Sequence, residues 1–211
     1  MSEILSEITT MIIEGNFREI GEKTNAAIAE GIDAETILNE GLMPGMDHVG
    51  IEFKAGNLFV PEVLRSAKSM QEAMIIIRPI LTETGSVATG KIILGTVKGD
   101  LHDIGKNLVG MMCEGAGFEV IDLGKDINPA AFVEAVEEHQ PDILGMSALL
   151  TTTMLSMERT IKALEEAGVR KSVKILVGGA PVTQDFADQI GADGYASNAA
   201  SASDLAKEII A

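Results

Sequence analysis

The stretch Ile92-Ile93-Leu94-Gly95-Thr96-Val97, followed by Lys98-Gly99-Asp100-Leu101-His102-Asp103-Ile104-Gly105, decides the fold. The opening run is apolar without polar alternation, the mark of a strand buried on both faces. A short loop with Gly99 follows, and a helical pattern starts at Ile104, with Gly105 in its first turn. The same succession recurs to the end of the chain. Strands are expected at Ile92–Val97, Glu119–Asp122, Ile143–Ser147, Lys174–Val177 and Gly194–Ala196. Helices are expected over Ile104–Gly115, Pro129–Glu138, Met154–Glu166, Thr183–Ile190 and Ser203–Ile210. Five such units predict a doubly wound parallel sheet flanked by helices, and these sheets take ligands beyond the carboxyl ends of their strands.

Upstream of this region the period is helical. Ile4, Leu5, Ile8, Met11 and Ile12 share one helix face, and Gly15-Asn16 ends it. Phe17, Ile20, Thr24, Ala27 and Ile28 mark a second helix. Asp33 caps a third, which runs through Ile37, Leu42, Met46 and Val49 and should bend at Pro44. A fourth begins near Val60-Pro61 and runs to about Leu81. Short links between them predict a small four-helix bundle. The chain thus reads as α/β in class: a bundle over residues 1–88, then a Rossmann/flavodoxin-like doubly wound five-stranded parallel sheet over 89–211. The Thr-, Gly- and Ser-rich stretch Thr82–Gly90 is the expected linker and hinge.

Composition narrows the function. The formal net charge is −16 and no Lys/Arg cluster appears, so nucleic acid and anionic membranes are not expected partners. The acidity reads either as a solvated surface or as steering toward a basic partner protein. The single cysteine, Cys113, excludes an internal disulfide and a Cys-based zinc site; on its helix it reads as a buried, inert thiol. Neither a signal peptide nor a run of about 18 apolar residues is found, so the expected location is cytoplasmic.

The informative residues fall just past the predicted strand ends: the Gly99–Gly105 loop, Ser147 to Thr153, Gly178-Gly179-Ala180, and Tyr195 to Ala199. His48 and His139 read as ordinary surface or core residues. His102 differs because Asp100 stands two residues before it on an exposed loop. A carboxylate there can accept the proton of one ring nitrogen, which fixes the tautomer and frees the other nitrogen for a metal. No second His or Cys follows at ligand spacing, so a bare ion would lack ligands. A macrocycle that brings its own equatorial nitrogens needs only one axial ligand. The glycines serve either the turns and helix packing alone or the close approach of a large ligand. A phosphate site fits less well, because the loop is neither G-x-G-x-x-G nor a P-loop and carries Asp100 and Asp103.

Asp100-x-His102-x-x-Gly105, then Ser147-x-Leu149, then Gly178-Gly179, resembles the signature of base-off/His-on cobalamin-binding domains. The N-terminal half is similar to the helical cap of methionine synthase and of corrinoid proteins of anaerobic methyltransferase systems. Phe53 and the segment Leu58 to Leu64 match the cap's signature region. The resemblance implies that His102 is the lower axial ligand of cobalt, in a cobalamin or related corrinoid. It implies a catalytic relay His102–Asp100–Thr153, with Thr153 standing where methionine synthase has Ser. Gly99, Leu101, Asp103 and Gly105 would form the loop under the corrin. Ser147, Leu149, Thr151, Gly178, Gly179 and Ala199 would line the slot for the displaced nucleotide tail. Phe53 and Val60 would cover the upper face.

By the same resemblance the chain is expected to be a corrinoid methyl carrier, alternating between cob(I)alamin and methylcobalamin forms. The implied partners are a substrate-specific methyltransferase, a methylcorrinoid:tetrahydrofolate or thiol methyltransferase, and a reductive activase. Methionine synthase's homocysteine, folate and reactivation modules find no counterpart in 211 residues, so catalysis is expected in trans. Two alternatives stay open. A cobalamin-dependent sensor would carry an output domain, and a small subunit of an adenosylcobalamin mutase would not carry the helical cap.

Overall fold

A computed structural model of the chain describes residues 2–84 and 88–210. The predicted linker Thr82–Gly90 therefore lies in part, at residues 85–87, outside the described residues. Contacts divide the chain into two units: one of Met1–Ala88 with Glu114–Gly117, the other of Thr89–Cys113 with Phe118–Ala211.

The first unit is helical. Helix α1 spans Glu3–Glu14, α2 Ile20–Ala29, α3 Ala34–Thr36, α4 Met43–Lys54 and α5 Val60–Thr84. Ile8 and Ile12 of α1, Ile20 of α2, Val49 of α4 and Val63 and Ile77 of α5 are fully buried. Each such aliphatic side chain contributes about 1.5–3 kcal/mol by leaving water. Asp33 caps α3 by accepting from the Thr36 N–H at 2.8 Å, as expected.

The expected third helix is real but irregular in a different place. A π-helical turn, Ile37–Leu42, joins α3 to α4. Pro44 itself sits in the first turn of α4. Proline offers no N–H to the preceding turn, and the Met43 N–H, just before it, reaches the Leu38 carbonyl five residues back. The disturbance is thus placed ahead of the proline.

The second unit is a parallel sheet in the order β2-β1-β3-β4-β5, with β1 at Lys91–Thr96, β2 at Glu119–Asp122, β3 at Ile143–Ser147, β4 at Lys174–Gly178 and β5 at Gly194–Ala196. Helices α6 (Ile104–Gly115), α7 (Pro129–His139), α8 (Thr151–Glu166), α9 (Gln184–Ile190) and α10 (Ala199–Ile210) connect and follow the strands. Ile93, Leu144, Ile175 and Val177 are buried with Phe132 of α7 and Met157, Ile161 and Leu164 of α8 in one core. The central strands are covered on both sides, which is why their sequences show no alternation.

Two helices begin earlier than their sequence suggests. Helix α8 starts at Thr151 rather than Met154, and α10 at Ala199 rather than Ser203. The Ala199 start is capped by Asn198, whose Oδ1 accepts from the Ser201 N–H at 2.9 Å. The Thr151 start belongs to the site.

Candidate functional site

The strand register lines up Thr96, Ser147, Gly178 and Ala196 as one row at the carboxyl edge of the sheet. Strand order reverses between β1 and β3, the position where doubly wound sheets open a ligand crevice. The loop after β1 and the loop after β3 meet there through one side chain, Asp100.

Asp100 is fully buried. Its Oδ1 accepts from the His102 N–H at 3.0 Å and lies 2.7 Å from His102 Nδ1. Its Oδ2 accepts from Leu149 N–H at 2.7 Å, from Leu150 N–H at 3.3 Å and from Thr153 Oγ1 at 2.6 Å. Burial alone pushes the carboxyl upward, but the donors from Thr153, His102 and Leu149 outweigh it and hold it well below the usual carboxylate range. An ionised Asp100 assigns the proton of the imidazole to Nδ1 and points the Nε2 lone pair outward. The His102 side chain is 51% exposed, so Nε2 is open to a ligand.

The same carboxylate explains the early start of α8. Leu150, at the N-cap, makes no side-chain cap bond. The anion of Asp100 sits instead at that helix end, where the dipole and the first N–H groups favour negative charge. Three successive threonines are poor helix formers in an interior, but this first turn is held from outside.

Around His102 the surface is aliphatic. Leu101 is 63% and Ile104 73% exposed, with Leu149 and Leu150 also exposed. Gly105 has no neighbouring atom where a side chain would begin. A broad apolar ligand would cover this platform, and soluble proteins rarely leave such patches bare without a partner. Among the described residues no group of three or more His, Cys, Asp or Glu could hold a metal ion. One imidazole on an apolar platform fits a metal that arrives inside a macrocycle.

The remaining predicted residues fall as follows. Gly99 has φ +86° at the turn before Asp100. Gly179 has φ +127°, and a Cβ there would lie 1.8 Å from the Ala148 carbonyl oxygen. Asp103 lies 3.9 Å from Lys125 Nζ. Thr151 is exposed, Ser147 and Gly178 are half-buried, and Ala199 is buried. Phe53, at the end of α4, and Val60, at the start of α5, belong to the other unit.

The sequence pattern did not single out several residues in and around the loop. Thr96 Oγ1 donates to the His102 carbonyl at 3.1 Å, and Ser156 Oγ to the Lys98 carbonyl at 3.1 Å. Lys106, one residue past Gly105, is buried, and it pairs with Asp122 and Asn107. A lysine on the inward face of an amphipathic helix was the available clue.

A doubly wound sheet whose switch point presents a carboxylate-held histidine on an apolar platform defines a corrinoid-binding protein. Comparison with known proteins agrees. The B12 binding domain family matches residues 90–203, and a second B12 binding domain family matches residues 4–78. The chain is 43% identical to a corrinoid protein of Desulfitobacterium hafniense over 98% of its own length and 97% of the relative. It is 41% identical to trimethylamine corrinoid protein 2 of Methanosarcina acetivorans, covering 99% and 97% of the two chains. A cobalamin-binding protein of Desulfitobacterium hafniense superposes with a TM-score of 0.81 at 32% identity, over 98% of both chains. The methanol:cobalamin methyltransferase complex of Methanosarcina barkeri contains a chain that superposes at 0.87 with 32% identity, over 99% of this chain and 80% of that one. The protein belongs to the B12-binding corrinoid protein family, and its cofactor is a cobalamin or related corrinoid.

Proposed function

We propose that the protein is a methyl carrier. It receives a methyl group on a bound corrinoid from a substrate-specific methyltransferase and delivers it to a second methyltransferase with a tetrahydrofolate or thiol acceptor. A reductive activase returns it to service after oxidation. The reading is carried by the Asp100-held His102 in a chain that matches trimethylamine and dimethylamine corrinoid proteins over almost their full length.

A bound corrinoid supplies a cobalt centre that accepts and releases a methyl group. The protein's own residues govern the lower face. His102 Nε2 would hold the cobalt, with Asp100 keeping the ring in place at Nδ1. Asp100 fixes the orientation of the ring through its contacts with the His102 N–H and Nδ1. Thr153, Leu149 and the His102 N–H keep the Asp100 carboxylate ionised, and the Leu150 N–H adds a further contact. In this reading the nucleotide tail follows the row of small residues from Ser147 to Gly178 and Gly179, with Leu149, Thr151 and Ala199 beside it. Gly99, Leu101, Asp103 and Gly105 belong to the loop beneath the corrin. Phe53 and Val60 belong to the methyl-bearing face, which makes residues 1–88 the cap and 89–211 the cobalamin domain.

The test is methyl transfer in trans. The chain, reconstituted with hydroxocobalamin and reduced, is mixed with a methylamine:corrinoid methyltransferase and that enzyme's methyl donor. The expected result is a methylated corrinoid spectrum that appears only with both present. A partner that methylates free cobalamin at full rate but never the loaded protein would overturn the reading.

A further inference from the structure

The segment after β2 runs beside the end of β1 and the start of the His102 loop, tied there by backbone hydrogen bonds and one isolated bridge. Thr96 N–H donates to the Gly124 carbonyl and Ile127 N–H to the Thr96 carbonyl, each at 3.0 Å. Val97 and Ile127 form a parallel bridge. Between these contacts stands Asp126, with φ +59°. Aspartate tolerates this left-handed conformation better than most residues, yet it is still a cost that glycine would not bear.

What aspartate adds is an acceptor. Its Oδ1 takes the Gly99 N–H at 2.8 Å, and its Oδ2 takes Lys98 Nζ at 3.0 Å. Its own N–H donates to the Asp100 carbonyl at 3.1 Å. One residue therefore binds both sides of the turn that aims Asp100. Gly99 can meet it because its own φ is +86°. The side chain remains 41% exposed, so burial of the core does not require it.

On the β3 side the same loop is tied by Leu149, Leu150, Thr153 and Ser156. On the β2 side the turn itself rests on Asp126. We propose that Asp126 is a positioning residue for the His102 loop: its carboxylate and its N–H hold the Gly99–Asp100 turn and so set how firmly His102 is presented to a bound corrinoid. The proposal rests on the reading of His102 as the axial ligand.

The test uses Asp126→Gly and Asp126→Ala, which delete the carboxylate, Asp126→Asn, which restores an acceptor, and His102→Ala as reference. Three quantities are measured: hydrogen exchange of the Gly99 amide in cofactor-free protein, retention of hydroxocobalamin, and the histidine-ligated absorption spectrum. A charge-assisted bond of this kind corresponds to roughly a tenfold change or more. Asp126→Gly should therefore exchange Gly99 about tenfold faster and lose the cofactor about tenfold more readily. Asp126→Asn should recover most of both. Asp126→Ala repeats the test if the glycine variant does not fold. Wild-type exchange, retention and spectrum in the Gly and Ala variants, with the spectrum lost in His102→Ala, would overturn the positioning role alone. A wild-type spectrum in His102→Ala would overturn the axial-ligand reading and the proposal with it.

Discussion

Thr153 Oγ1 donates to Asp100 Oδ2 at 2.6 Å, across 53 positions of sequence and between the two strands where the sheet order reverses. The same hydroxyl lies 2.9 Å from the Leu150 carbonyl, so one threonine joins the start of α8 to the carboxylate that orients His102. With the Leu149, Leu150 and Ser156 bonds, it joins the loop after β1 to the loop after β3.

Replacing that hydroxyl should be costly, and restoring it should not. Thr153→Val keeps the shape but leaves a buried carboxylate short of one donor, a loss of about 1.5–3 kcal/mol. Thr153→Ser retains the donor and should stay within about 1 kcal/mol of wild type. Urea unfolding of the cofactor-free protein measures both. Equal stability of the Val and Ser variants would show that Asp100 does not depend on this bond.

The Asp100 carboxyl titrates below its ordinary value. A carboxyl depressed in the folded state stabilises that state above its unfolded pKa, about 3.9, and the gain is lost as pH falls through the folded value. The stability advantage of wild type over Asp100→Asn should be constant above about pH 5 and shrink as pH drops below about 4. Unfolding curves for the two proteins at several pH values read this directly, and an advantage that grows on acidification would contradict it.

His102→Ala should leave the fold intact, since the ring is half exposed and its neighbours are held by other bonds. It should abolish the histidine-ligated spectrum of protein reconstituted with hydroxocobalamin and weaken retention of the cofactor. An unchanged spectrum would remove His102 from the metal.

Two glycines should respond in opposite ways. Gly105, in the first turn of α6, has open space where a side chain would begin, so Gly105→Ala should raise cofactor-free stability by up to about 1 kcal/mol. It should at the same time weaken corrinoid retention, because the methyl group would stand on the platform. Gly179→Ala must place a Cβ on the Ala148 carbonyl at a φ of +127° and should cost about 3 kcal/mol or more. Thermal melts and cofactor binding separate the two effects.

The sequence by itself determined the classes of element and where the site lies. Buried strands announce themselves as apolar runs, amphipathic helices as a 3.6-residue period, and turns as glycine, because each reports a local preference. Asp100 and His102 were visible for the same reason, standing two residues apart on one loop. Tertiary structure decided the rest. The Thr151 start of α8 and the left-handed Asp126 are departures from local preference, held by bonds from elsewhere in the chain. Of the donors that keep Asp100 ionised, His102 is local, but Thr153 and Leu149 come from the far loop, and only the strand order β2-β1-β3-β4-β5 brings them to it. Periodicity describes a residue's neighbours in sequence. The charge of this carboxylate depends on its neighbours in space.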